Sequence, residues 1–397
     1  MSRDNGIRGD AAAWVVAAEI AVIYALSTLP TPIYVIYRQR FHFSEIVLTL
    51  IYAAYVIGTV TTMFFLGRLS DQIGRRPVVL VSLGIAAVSA IVFLLANAAA
   101  WLFPARILSG LAIALATGAS AAWIVELKAQ QDKTLATQMT IGMNLLGLGL
   151  GPFIAGFLAE YAQWPLRLCY VVFLFLLVPI FIFIGRSRET LDKANSLSDA
   201  SIEPRLGVPR QIRSRFIPPA IAAFTTFSVL GFYMALIPSL LVQSLQNKNH
   251  AVAGIIVAEL FFIGAAVVSF TGTLKSHKGM LFALVLLVPS LGLLIWAETA
   301  RSMGTLIAGT AVTGVATGFG YRFSLQVINE IAPDDRRAEM VSSYLIACYC
   351  GISLPVIGIG IVSQVSGALV ADTIFAAITA MLAVLALAIQ LKISRAT

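Results

Sequence analysis

The chain has 397 residues, of which 59% are hydrophobic and only 12% charged, and its formal net charge is +8. A soluble domain carries roughly a quarter charged residues, so most of this surface faces something other than water, and a soluble enzyme is excluded. The excess of basic residues invites a nucleic-acid partner, but their placement along the chain argues against one.

Apolar runs of about 20 residues, the length of one helical bilayer crossing, occur at 12–36, 45–66, 77–96, 100–124, 137–160, 168–184, 217–242, 251–271, 280–297, 302–326, 339–364 and 371–391. The polar start MSRDNGIRGD leads into a first run too long for a cleaved signal peptide, so the first span is retained. That span carries Glu19, about eight residues from its inner end and so about 12 Å deep at 1.5 Å per residue. Ile23, Leu26, Pro30 and Tyr37 project onto the same face. The fourth span holds Arg106, and the fifth holds Asn144 on the side of Gly147 and Gly151. In the eighth, Glu259 lies about as deep as Glu19, with Phe262 following it. Tyr37, Asn144 and Phe262 are candidates for lining a substrate cavity. Arg322, near the inner end of the tenth span, reads either as an anion-binding group or as an interfacial arginine close to Glu330.

Ionisable groups inside a bilayer are costly and face a cavity or a partner, so Glu19 and Glu259 are candidate proton carriers. Neither the cysteines nor the histidines suggest a metal or cofactor. Cys169, Cys348 and Cys350 fall inside spans, with the last two on opposite faces of one helix. His42, His250 and His277 fall in loops. With no nucleophile–base pair, ligand cluster or phosphate loop, the sequence offers no enzyme chemistry and needs no cofactor.

With the N-terminus in the cytoplasm, 20 of the 27 Lys and Arg residues fall in inner segments, 5 in outer loops and 2 within spans. The positive-inside rule accounts for that asymmetry. Basicity is a topology signal, and both termini are expected in the cytoplasm.

The long polar stretch 185–216 reads as a cytoplasmic linker between a six-helix half, 1–184, and a second, 217–397. Landmarks repeat across it. Pro32 answers to Pro238, Gly67 and Gly74 to Gly272 and Gly279, Glu126 to Glu330, and Pro152 to Pro355, at offsets of 203 to 206 residues. Four ordered matches indicate an internal duplication. The expected fold is an all-α membrane protein of twelve helices in two pseudo-symmetric six-helix bundles.

The most specific local pattern follows the second span: Gly67-Arg68-Leu69-Ser70-Asp71-Gln72-Ile73-Gly74-Arg75-Arg76. It resembles the signature G-x-L-[AS]-D-x-x-G-R-[RK] of the major facilitator superfamily. The glycines allow close helix approach and a tight turn, and Arg75 can pair with Asp71 and with Glu126. The resemblance implies that Gly67, Asp71, Gly74, Arg75, Arg76 and Glu126 latch the two halves in one state. The second-half counterpart, running from Gly272 to Gly279, has Ser276 in place of the aspartate and predicts a weaker latch. Arg106-Ile107-Leu108-Ser109-Gly110 resembles the family's R-x-x-[QS]-G motif, which implies a part in proton coupling beside Glu19 and Glu259. Gly147, Gly151, Pro152 and Gly156 resemble the antiporter motif G-x-x-x-G-P-x-x-G-G, with Ala155 in place of one glycine.

The resemblance is to the twelve-helix drug:proton antiporter group. It implies a monomeric secondary transporter in the inner or plasma membrane that moves a small molecule by alternating access, with protons and the lipid bilayer as its other partners. Proton-coupled efflux is the leading expectation, and proton-coupled uptake of a sugar or metabolite is the alternative.

Overall fold

A computed structural model describes residues 10–67, 69–128, 133–191, 207–271, 274–333 and 336–396. Among the described residues the regular structure is helical. In chain order the helices are α1 (Asp10–Thr28), α2 (Tyr34–Phe41), α3 (Glu45–Leu66), α4 (Leu69–Ile73), α5 (Arg75–Leu95), α6 (Ala99–Leu127), α7 (Lys133–Tyr161) and α8 (Leu168–Arg186). They continue as α9 (Arg213–Gln243), α10 (His250–Phe270), α11 (Ser276–Thr299), α12 (Met303–Ile331), α13 (Arg337–Ser366) and α14 (Ala368–Ala396). Among the described residues, twelve segments are long and apolar enough to cross a membrane, α1 and α2 together forming the first.

The helices outrun the apolar windows because backbone hydrogen bonding propagates into the polar residues at each end. His250 and His277 are therefore helical rather than in loops, and Glu330 lies inside α12 rather than after it. The first span is broken instead of continuous. Pro30 and Pro32 offer no N–H to a helical ladder, so a 3₁₀ turn over Thr31–Ile33 separates α1 from α2, held by the Ile33 N–H on the Pro30 carbonyl at 3.1 Å. Pro152 in α7 and Pro355 in α13 lie within unbroken helices.

The chain forms two compact units, one of residues 1–33 and 54–204, the other of residues 34–53 and 205–397. The duplicated pattern alone would put residues 34–53 in the first. In the first unit α1 packs on α6, α7 and α8, and α5 on α6 and α8; in the second α9 packs on α12, α13 and α14, and α11 on α12 and α14. Burial sorts the helices by role. The most apolar window of α9 is 78% buried, against 28% in α8 and 33% in α14, so α9 is a core helix, while α8 and α14 present bare apolar side chains such as Phe175 and Met381. That is the arrangement lipid requires.

Candidate transport site and inner-loop cluster

Glu19 is 0% exposed, on the stretch of α1 that faces α6 and α7. The Ser120 hydroxyl donates to its Oε2 at 2.6 Å, and its buried Oε1 has no hydrogen-bond partner among the described residues. One and a half turns further along α1, the Tyr24 hydroxyl meets Thr117 Oγ1 at 2.7 Å and also hydrogen-bonds Asn144. Glu19, Tyr24, Thr117, Ser120 and Asn144 thus form a polar seam inside an apolar helix packing.

The local sequence explains why α7 reaches this seam. A Cβ on Gly147 would lie 2.3 Å from the Ala21 carbonyl oxygen, and one on Gly151 2.4 Å from that of Ala25. Only glycine permits so close an approach. Gly156 and Pro152 are buried on the same helix.

Arg106 is 1% exposed. Its Nη1 donates to the Ser27 carbonyl at 2.5 Å, and its guanidinium lies 4.7 Å from the Tyr55 ring centroid. It therefore satisfies a carbonyl in the last turn of α1, where cations are favoured. Ser27 is eight residues from Glu19, about 12 Å along the helix, so the contact is to the end of α1 rather than to the carboxylate.

In the second unit Glu259 is half-buried on α10, within electrostatic range of Tyr233. The Tyr233 hydroxyl bonds Thr310 at 3.2 Å and Thr313 at 3.4 Å. Phe262, also half-buried, is one turn beyond Glu259. Arg322 donates to the Val268 carbonyl at 2.6 Å and to Thr271 Oγ1 at 3.1 Å, capping the C-terminal end of α10. Among the described residues no ion pair joins it to Glu330, which accepts from Ser276 Oγ and, at 3.2 Å, from Gln326. The expected shared face of Glu19 and Tyr37 is corrected here. The 3₁₀ turn resets the helical phase between them, and Tyr37 belongs to the other compact unit, stacked on Phe41 at 5.7 Å.

The loop after α3 is held by charge. Gly74 has φ +109°, a conformation open to glycine and strained for other residues. It turns the chain from α4 into α5 so that Arg75 points back at Asp71. The Arg75 guanidinium bonds Asp71, Ser70 Oγ at 2.8 Å, and Glu126 Oε1 through Nε at 3.2 Å and Nη2 at 2.8 Å. Gly67 ends α3 against the Met63 carbonyl. The sequence reading missed two further members. Glu189 accepts the backbone N–H groups of Arg75 at 3.1 Å and Arg76 at 2.9 Å, filling the open donors at the start of α5. Thr190 donates to Glu126, and the Arg76 side chain reaches the Ser187 carbonyl at 3.4 Å. The first residues of the linker are thus part of the cluster; a carboxylate just past a span was the available signal. Gly272 of the second loop and linker residues 192–206 lie outside the described residues.

Known proteins share this architecture. The family model described as Major Facilitator Superfamily matches residues 17–294, and one described as Sugar (and other) transporter matches residues 223–393. The chain is 23% identical over 348 residues to a multidrug resistance protein, MdtL, of Klebsiella pneumoniae (strain 342), covering 83% of this chain and 85% of the relative. It is 29% identical over 220 residues to the class B tetracycline resistance protein of Escherichia coli, covering 52% of this chain and 51% of that protein. The human organic anion transporter MFSD10 (TETRAN) has a similar fold, with a TM-score of 0.69 at 15% identity, over 95% of this chain and 98% of that one. With the signature loop intact and one family model spanning both units, this multi-pass membrane protein belongs to the major facilitator superfamily of transporters.

Proposed function

We propose that this transporter exports a small amphipathic or cationic compound in exchange for protons, with Glu19 carrying the proton. The observation that carries this reading is the Glu19 carboxyl itself: fully buried, with one hydroxyl donor on Oε2 and no partner on Oε1. Among the described residues no ion pair balances this carboxylate, and its charge is tied to whether water or a proton reaches the seam. Glu259, half-buried beside Tyr233, is the second titratable group and shares the proton or selects substrate. A proton moving inward gains about 2.3 kcal/mol per 100 mV of membrane potential, in addition to any pH gradient.

The export direction draws on the relatives named for drug resistance and on the Gly147–Gly156 motif in α7. Arg106 fixes the end of α1 and so the height of Glu19. The Asp71–Arg75–Glu126 cluster holds one of two global states in alternating access. Both termini and the linker are cytoplasmic by the charge asymmetry, the membrane is the inner or plasma membrane, and the working unit is a monomer. Uptake by the same fold is the second reading, favoured by the sugar-transporter match over residues 223–393.

Everted vesicles decide between them. With tetracycline and ethidium as first probes, an exporter dissipates an imposed pH gradient when substrate is added and accumulates substrate inside. Glu19→Gln is expected to abolish both signals while leaving substrate binding to purified protein within about twofold, because glutamine keeps the shape and loses the titration. Wild-type proton exchange in that variant overturns the assignment to Glu19; accumulation only in right-side-out vesicles overturns export.

A further inference from the structure

Three acids that the transport reading does not use meet inside the second unit. Glu298, in the last turn of α11, and Asp372, in the first turns of α14, are each 4% exposed. Their side chains hydrogen-bond one another. Ser244, just past α9, donates to Glu298 Oε1 at 2.8 Å, while Glu298 Oε2 is buried without a hydrogen-bond donor among the described residues. Glu45, at the start of α3, acts electrostatically on Asp372. Glu45 is also within 3.6 Å of Arg38 and accepts from Ser363 Oγ at 3.3 Å. Arg301, which follows α11, is exposed and donates its backbone N–H to the Glu298 carbonyl at 3.2 Å.

Two ionised carboxylates are both acceptors and cannot hydrogen-bond each other. A single proton held between Glu298 and Asp372 supplies the donor that their hydrogen bond requires. Without it, the pair would carry two negative charges beside a third on Glu45, whose ion-pair partner, Arg38, is itself about a third exposed.

What lies over the pair makes that proton consequential. Residues 34–53 precede most of the first unit in the chain, yet pack into the second. There Thr49 is buried, and a Cβ on Gly360 of α13 would come within 2.4 Å of its Oγ1. We propose that Glu298 and Asp372 form a proton-binding site separate from Glu19 and Glu259, and that its occupancy holds the start of α3 against α13 through Glu45. Loss of the proton drives Glu45, and with it Thr49, off the second unit by like-charge repulsion.

The test needs neither a transport substrate nor Glu19, so it stands or falls apart from the export reading. Cys169, Cys348 and Cys350 are replaced by serine in the full-length protein, and Thr49→Cys is labelled with an aqueous maleimide across pH. Rates are normalised to a reference cysteine at exposed Tyr161 in the same background, which removes the thiol's own pH response. The normalised rate is expected to rise roughly tenfold from acid to alkaline pH as the seated population falls. Asp372→Asn and Glu298→Gln, each keeping a donor between the pair, are expected to hold it low throughout. A flat wild-type profile, or an unchanged rise in both variants, overturns the proposal; either variant alone suffices if the other does not fold.

Discussion

The two units use one backbone plan and fill it with different polar groups. Gly147 of α7 approaches the Ala21 carbonyl in the first, and Gly351 of α13, 204 positions later, approaches the Phe224 carbonyl in the second. Gly110 of α6 meets the Tyr55 carbonyl, and Gly314 of α12 meets that of Leu260. Backbone contact between helices tolerates no side chain, so these positions resist divergence. The polar groups have not been held in the same way. Arg106 bonds the Ser27 carbonyl where Thr310 bonds the Tyr233 hydroxyl. The Asp71–Arg75–Glu126 cluster is matched by a neutral hydroxyl, Ser276, on Glu330. Glu19 is matched by Ala222 at the same spacing. Packing kept the symmetry, and the chemistry was placed on one side or the other.

The largest expected effect tests the shared part. Gly147→Val and Gly351→Val each push a β-branched side chain into a carbonyl oxygen, and each is expected to lose about 3 kcal/mol or fail to give monodisperse protein. Thermal unfolding in detergent with size-exclusion chromatography measures this. If Gly351→Val behaves as wild type while Gly147→Val does not, the packing equivalence of the units is broken.

A smaller effect sharpens the difference. Arg75→Ala leaves Asp71 and Glu126 facing each other without their cation, and transport is expected to fall at least about tenfold with membrane insertion near normal. Ser276→Ala removes only a hydroxyl donor and is expected to stay within about twofold. Initial transport rates, scaled to the amount of protein in the membrane, compare the two. Equal losses would mean that the neutral loop is as much a latch as the charged one.

The smallest effect concerns equivalent helix starts. Ser302 accepts the Thr305 N–H at 3.2 Å at the N-terminus of α12, whereas Ala98, at the matching position before α6, makes no side-chain cap. Ser302→Ala is expected to cost about 1 kcal/mol and Ala98→Ser to recover a similar amount. Denaturant-induced unfolding of each variant reads the two signs. A destabilising Ala98→Ser would show that the two helix starts differ in backbone as well as in side chain.

Much of this molecule is legible before any coordinates. Span number and length follow from apolar runs, because a bilayer leaves a lone helix few alternatives. The duplication shows as repeated Gly and Pro spacing, and Arg75 pairs as its motif suggests, since its partners are four residues away or fixed by the loop. Glu189 was not legible as part of that cluster: its recipients, the N–H groups of Arg75 and Arg76, are more than a hundred residues away and carry no side-chain signature.

By itself, the sequence determined the family, the twelve crossings and four of the embedded ionisable groups, Glu19, Arg106, Glu259 and Arg322, because each depends on local composition and spacing; the buried Glu298 and Asp372 came only with the packing. Only the tertiary structure decided what those groups touch. It set Arg106 on a carbonyl in the last turn of α1, Arg322 on a carbonyl in the last turn of α10, and Tyr37 in a different unit from the carboxylate whose face it was expected to share. Two causes account for this. A 3₁₀ turn at Pro30–Ile33 resets the helical phase that sequence spacing extrapolates. A buried arginine is also drawn to the nearest unsatisfied carbonyls, and those lie at helix ends, at heights and rotations that only the packing of neighbouring helices sets.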